Sequence, residues 1–205
     1  EWLKAFQLFY SQFKKDFIDN YEKSCAEKQP YITNDELKES PKLWKTIGDE
    51  ILFVNKISSL CHLSCYISSF IKTLNDFGNR IKTFGLDTKG NAWIAAFPTP
   101  NCSIKSVLGK DEDPICGDNG FTSENIESGA DHDPRDFDFL GRNIDAGFRI
   151  SRNSSVNSFT ISPSLAYLLC RAKTNEDPCT FKENINFLGL EVFKGVVNNK
   201  PYPII

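Results

Sequence analysis

Apolar residues recur at helical spacing from the start of the chain. Trp2, Phe6, Phe9, Phe13 and Phe17 fall on one stripe, while Lys4, Gln12, Lys15 and Asp16 fall on other faces. That period predicts a long amphipathic helix. Leu60, Leu63, Ile67, Phe70, Ile71, Leu74 and Phe77 predict a second helix, stopped at Gly78. Between the two, residues 22–41 are polar and expected as loop. A Gly turn then separates two apolar runs, Lys42-Leu43-Trp44 and Ile51-Leu52-Phe53-Val54, and predicts a hairpin. Ala92-Trp93-Ile94-Ala95-Ala96-Phe97 reads as a buried strand closed by Pro98 and Pro100. From 105 to 136 the chain is acidic and Gly-rich with little periodicity, which predicts a long loop excursion.

Beyond it, residues 137–151 hold a strand end, a turn and a helix. Phe159-Thr160-Ile161 predicts a short strand, and Ser162-Pro163 supplies an N-cap oxygen and a first-turn proline for the helix of Leu165, Leu168 and Leu169. The run 187–195 predicts a strand entering a hairpin, with Tyr202 in the return strand. Segregated helices and mostly antiparallel strands give an α+β class, and residues 1–205 read as one domain. A further strand ahead of Trp2 would complete a βαββαβ, ferredoxin-like pattern. Trp2 already lies within a helical pattern and no methionine occurs among 205 residues. We therefore expect omitted residues, an N-terminal strand among them, and spacings shortened across each omission.

Composition narrows the function. A net charge of -3 argues against a broad nucleic-acid surface. No apolar run is long enough to span a bilayer and no leader pattern opens the chain, so no membrane partner is expected. Seven cysteines, an odd and scattered set, do not read as a disulfide framework and fit a reducing cytoplasm. In Cys61-His62…Cys65, ligand-type residues lie on a helix without a fourth partner, so buried thiols are expected rather than zinc. Asp131-His132-Asp133 reads as solvated loop, and Gly-rich phosphate loops are absent.

Three blocks carry candidate chemistry. In Trp44-Lys45-Thr46-Ile47-Gly48-Asp49-Glu50 one carboxylate, Asp49, sits at a hairpin tip, where it can hold a hard cation against a triphosphate. In Phe137-Asp138-Phe139-Leu140-Gly141-Arg142-Asn143-Ile144-Asp145-Ala146-Gly147-Phe148-Arg149, Asp145 and Arg149 are four apart on one helix face. The guanidinium can clamp phosphate oxygens through two donors, or the two can form a surface salt bridge. The third block joins Phe159-Thr160-Ile161-Ser162-Pro163-Ser164-Leu165-Ala166 to Phe193-Lys194-Gly195-Val196-Val197-Asn198-Asn199-Lys200-Pro201-Tyr202.

In this order the blocks resemble class III nucleotidyl cyclases: the K-T-I-G-D hairpin, the segment D-x-x-G-x-x-V-N-x-A-x-R, the step I-x-V-S-x-x-x-A and the closing L-K-G-V-x-x-x-x-x-Y hairpin. The resemblance implies a homodimer with two composite sites that convert a nucleoside triphosphate to a 3′,5′-cyclic nucleotide and pyrophosphate. It implies two divalent cations, Mg²⁺ or Mn²⁺, held by Asp49 and by a second carboxylate on the strand before Trp2. Arg149 and Asp145 take the catalytic positions. Lys45 takes the base-reading position beside Trp44, with Asp138 as its partner across the interface. Trp44 is expected to face away from Lys45, since side chains alternate along a strand.

Departures from that pattern sharpen the resemblance. Asp145 stands where the pattern has Asn. Lys89-Gly90-Asn91-Ala92-Trp93-Ile94-Ala95-Ala96-Phe97-Pro98-Thr99-Pro100-Asn101 replaces a Gly- and His-containing strand, and Asp-Ala-Gly-Phe-Arg replaces Asn-x-Ala-x-Arg. Both of the last two are similar to the pyrimidine cyclases of the Pycsar anti-phage systems, which make cyclic CMP or cyclic UMP for a separate effector. Lys45 with Asp138 is, by contrast, the pair of an adenine-selective member. An adenylate cyclase domain thus remains the alternative within the class, and a cyclase-like regulatory module without turnover remains the alternative outside it.

Overall fold

The computed structural model describes residues 2–29, 31–106, 124–173, 179–195 and 197–205. Helix α1, Trp2–Glu27, buries Ala5, Phe13, Phe17, Tyr21 and Cys25 along one stripe. That stripe seats on α3, Leu60–Ile81, through ring contacts such as Phe13 with Phe77 at 5.5 Å and Phe17 with Phe70 at 5.0 Å. Polar ties fix the register: Asn20 donates to Thr73 Oγ1 at 2.9 Å and Ser69 to the Asn20 carbonyl at 3.2 Å. Ser59 caps α3 by accepting the His62 N–H at 3.0 Å. The helix does not stop at Gly78. That glycine instead admits a close neighbour, since a Cβ there would lie 2.3 Å from Asp87 Oδ1.

The expected loop 22–41 is partly helical. Helix α1 runs to Glu27, and a short α2, Asn34–Lys38, carries a capping box in which Thr33 N–H donates to Glu36 at 2.8 Å and Glu36 N–H returns to Thr33 Oγ1 at 3.2 Å.

Strands form four two-stranded sheets among the described residues. Strand β1, Lys42–Ile47, pairs antiparallel with β2, Glu50–Val54. The predicted strand 92–97 is reduced to β3, Asn91–Ala92, which pairs in parallel with β6, Thr160–Ile161. Past two cis prolines, Pro98 and Pro100, strand β4, Asn101–Lys105, pairs antiparallel with β5, Phe137–Gly141. Strand β7, Gly189–Val192, pairs with β8, Pro201–Ile204, which carries Tyr202 as expected; Val196 lies outside the described residues. The class is α+β, and among the described residues the strands form separate two-stranded sheets rather than one continuous sheet.

The excursion is not all loop. Residues 107–123 lie outside the described residues, whereas α4, Glu124–His132, follows them, and its Glu127 accepts from Ser103 N–H at 3.2 Å and Ser103 Oγ at 2.6 Å. Helix α5, Arg142–Ile150, follows β5 directly, and α6, Pro163–Lys173, starts at the predicted Ser162 cap. No helix among the described residues is long and apolar enough to cross a membrane.

The cysteines depart from the all-thiol expectation. Cys61 and Cys179 form a disulfide across 118 residues with Cα atoms 4.8 Å apart, while Cys25 and Cys65 are buried free thiols. Pairing over that separation is set by the packing of the segment around Cys179 on α1 and α3, which no spacing rule reports.

His62 lies fully buried in the same region, its Nδ1 accepting from Ser58 N–H at 3.4 Å. Burial pushes His62 below its ordinary value, and the carboxylates of Glu36 and Glu39 offset only part of that. The unfolded chain therefore takes up this proton first as pH falls. Stability from the neutral ring is present above about pH 6.5 and is lost as pH drops through the folded-state value. Urea midpoints should fall between pH 7 and pH 5, and less so in His62→Gln. Equal slopes in the two proteins would contradict the assignment.

Candidate functional site

The β1–β2 hairpin closes through a two-residue loop, Gly48-Asp49, between the paired Ile47 and Glu50. Gly48 has φ 58°, and nothing lies within 4 Å of a Cβ built there, so conformation rather than space selects glycine. The Tyr10 hydroxyl donates to the Gly48 carbonyl and ties the tip to α1. Asp49 projects from this tip, exposed and without a hydrogen bond or ion pair among the described residues.

Lower in the hairpin the register shifts: Leu43 pairs with Phe53 and Lys45 with Leu52, which leaves Trp44 as a bulge. A bulge re-aims side chains and breaks their alternation. Trp44 is buried there while Lys45 stays partly exposed. Trp44 turns inward with 6% exposure, donates from its indole N–H to the Phe137 carbonyl at 3.0 Å, and meets Phe139 with ring centroids 5.0 Å apart. The Lys45 ammonium lies 5.7 Å from the Trp44 ring centre and forms an ion pair with Asp138. The two side chains are 32% and 40% exposed, so the pair is open to a ligand. Its net contribution to stability is at most about 1 kcal/mol.

Lys45 and Asp138, 93 residues apart and expected to meet across an interface, form an ion pair within a single chain. They are held together by the Trp44–Phe137 hydrogen bond beside them.

Helix α5 presents Asp145 and Arg149 on its exposed face. The alternative of an i,i+4 salt bridge is not realised: among the described residues neither side chain has an ion pair or hydrogen bond. Arg149 thus offers an uncommitted guanidinium fork. Gly141, the residue before the helix, has φ 139° and no side chain to cap it. Asn101 takes over that role from β4. Its Oδ1 accepts the Asn143 N–H at 3.1 Å, while its amide donates to the Ala96 carbonyl at 2.9 Å and to Asn143 Oδ1 at 3.1 Å. Sequence reasoning placed Asn101 in a motif without a role. An asparagine closing a Pro-rich turn was the available signal, but the helix it caps begins 41 residues later.

Trp44, Lys45 and Asp138 are brought together, with Phe148 of α5 6.0 Å from the Trp44 ring. Asp49 and Arg149 share no hydrogen bond or ion pair with that group or with each other among the described residues. As for metal, no cluster of three or more ligating side chains exists among the described residues. Asp49, unpaired at a tethered tip, fits one hard cation shared with substrate phosphates and does not by itself fit the expected two.

No protein-family model matches the chain, and no curated protein matches it. Solved structures similar to it include two nucleotide cyclases. The adenylyl cyclase CyaB from P. aeruginosa shares 13% identity over 93% of this chain and 79% of its own, with a TM-score of 0.47. The guanylyl cyclase Cya2 shares 9% identity over 94% of this chain and 79% of its own, with a TM-score of 0.43. Likeness at that level is distant, and what this chain can do is decided by its own residues.

Proposed function

We propose that the chain is the catalytic domain of a pyrimidine nucleotide cyclase, a homodimer that converts CTP or UTP to the 3′,5′-cyclic nucleotide as an anti-phage messenger for a separate effector. The observation that supports a nucleotide site is the convergence of Lys45, Asp138 and Trp44, and the choice of a pyrimidine rests on the stretches 89–101 and 145–149, which resemble the pyrimidine cyclases. Residues from two separate blocks of the resemblance meet at one exposed, charged spot against an aromatic wall. That spot can read a base edge through one donor and one acceptor, with the Trp44 ring beside them.

In this reading the substrate's 3′-hydroxyl oxygen attacks the α-phosphorus. The new P–O bond closes the ring, the bond to the β-phosphate oxygen breaks, and pyrophosphate and the hydroxyl proton leave. Arg149 holds phosphate oxygens through paired donors and stabilises the charge that grows there. Asp145 is placed to accept a hydrogen bond from a ribose hydroxyl. A divalent cation, held by Asp49 together with the triphosphate, would supply charge neutralisation.

Asp49 and Arg149 form no hydrogen bond or ion pair with each other in one chain, and in the proposed homodimer the Asp49 of one protomer serves the Lys45, Asp138 and Arg149 of its partner. A symmetric interface of that kind repeats the composite site twice. The test is a panel of ATP, GTP, CTP and UTP with Mn²⁺, with products resolved by mass. A cyclic pyrimidine nucleotide is expected. Cyclic AMP as the main product would favour the adenylate cyclase alternative, and no product from any nucleotide would favour a regulatory module.

A further inference from the structure

Helix α5 carries Asp145 and Arg149 on one face; its buried face packs Ile144 into the Trp44 cluster, Ala146 and Ile150 against Phe193 and Ile204, and Gly147 against the segment 91–101. At Gly147 that segment comes closer than any side chain would permit. A Cβ on Gly147 would lie 2.1 Å from Trp93 Cδ2, 2.4 Å from Cγ and 2.5 Å from Cε2. The Trp93 ring also meets Phe148 at 5.2 Å, and the Asn91 amide reaches the Gly147 carbonyl at 3.5 Å. Ten residues after Asn91, Asn101 caps the start of the same helix, and its Oδ1 lies 2.4 Å from where a Cβ on Gly141 would stand. Residues 91–101 therefore grip α5 at two points about one and a half turns apart. At both points a glycine of 141–147 makes room for a side chain of 91–101.

The two sequence departures are then one physical unit. Trp93 in the Ala-Trp-Ile-Ala stretch and Gly147 in the Asp-Ala-Gly-Phe-Arg stretch form a knob and its notch. We propose that Trp93 and Asn101 are positioning residues that set the axial position and rotation of α5, and so aim Arg149 at the phosphates. This rests on the nucleotide cyclase reading above. A helix seated by a bulky ring against bare backbone has one position available, since close-packed contacts do not deform continuously. Moving α5 by about 1 Å would misalign the guanidinium, an error of a size that can cost roughly 10²-fold in rate.

The test is a double-mutant cycle on Gly147→Ala and Trp93→Leu in the full chain, read as kcat and KM well below the melting temperature, with circular dichroism reporting the folded fraction. Gly147→Ala should lower kcat about 10²-fold per folded molecule with KM changed less than about threefold. Trp93→Leu added to it should recover at least about tenfold, because the new methyl then has space. A purely structural contact would move the melting temperature and not the kcat of folded protein. If Gly147→Ala does not fold, Trp93→Phe carries the test: kcat lowered with KM retained supports the mount, and an unchanged kcat overturns it. An active wild type whose double variant is no better than Gly147→Ala overturns the mount alone. A wild type that cyclises no triphosphate overturns the cyclase reading and the positioning role with it.

Discussion

Arg149→Ala should lower kcat about 10²–10³-fold, roughly 3–4 kcal/mol of transition-state stabilisation, and leave the melting temperature almost unchanged. The guanidinium is exposed on α5 and makes no hydrogen bond or ion pair among the described residues. Little stability is lost with it, since exposed substitutions away from buried contacts usually stay within about 0.5 kcal/mol. The kinetic loss should fall on kcat and kcat/KM alike, because charge on the transferring phosphoryl group grows only on the way to the transition state. Arg149→Lys should recover only part of the rate: an ammonium keeps the charge and loses the paired donors. Steady-state kinetics with each variant checks this. A kcat for Arg149→Ala within about threefold of wild type would remove Arg149 from the site.

Asp49→Asn should have the larger effect, loss of measurable turnover with the fold retained. Asparagine is close to isosteric and tolerated in turns, and Gly48 keeps the positive φ that the loop needs. The substitution therefore removes a negative charge and a cation ligand and little else. Loss of the charge neutralisation that a bound cation supplies affects binding and chemistry together. Mixing Asp49→Asn with Arg149→Ala then probes the dimer. Each mixed dimer holds one site with both residues intact, so full subunit exchange should return about a quarter of wild-type activity. A mixture that stays inactive after demonstrated exchange would place Asp49 and Arg149 in one chain's site.

Much of this fold was legible because its signals are local. The aromatic stripe of α1, the apolar face of α3, the Gly48 turn, the Ser162 cap and the Tyr202 return strand each declare themselves within one or two turns of chain. The α2 capping box was equally local, Thr33 three residues ahead of Glu36, and was passed over in a polar stretch. What escaped reading depends on distant partners. Trp44 bulges inward toward the Phe137 carbonyl, and Gly78 lies inside a helix at a place where Asp87 leaves no room for a side chain. Lys45 meets Asp138 in its own chain, and Cys61 meets Cys179, through packing that spans 93 and 118 residues. The strand at 92–97 read as apolar and buried, yet its middle is committed to α5 and to the Trp44 cluster rather than to a sheet.

The candidate site divides along the same line. Asp49 at a tip and Asp145 with Arg149 on one helix face were visible because local geometry fixes those positions, whereas spacing alone left open whether the latter two pair. Asn101 was not visible, because it acts on a helix outside its own segment.

The central claim is a preference for a pyrimidine base, and it is tested most directly by kcat/KM for CTP, UTP and ATP in the wild-type protein and in Lys45→Ala. A pocket that leaves purine polar groups unpaired can discriminate by up to about 10⁴-fold, whereas fit by shape alone seldom exceeds about 10²-fold. The account predicts that CTP or UTP exceeds ATP by at least about 10²-fold, and that Lys45→Ala erodes this ratio while the Mn²⁺ dependence persists. An ATP value equal to or above both pyrimidine values would contradict it.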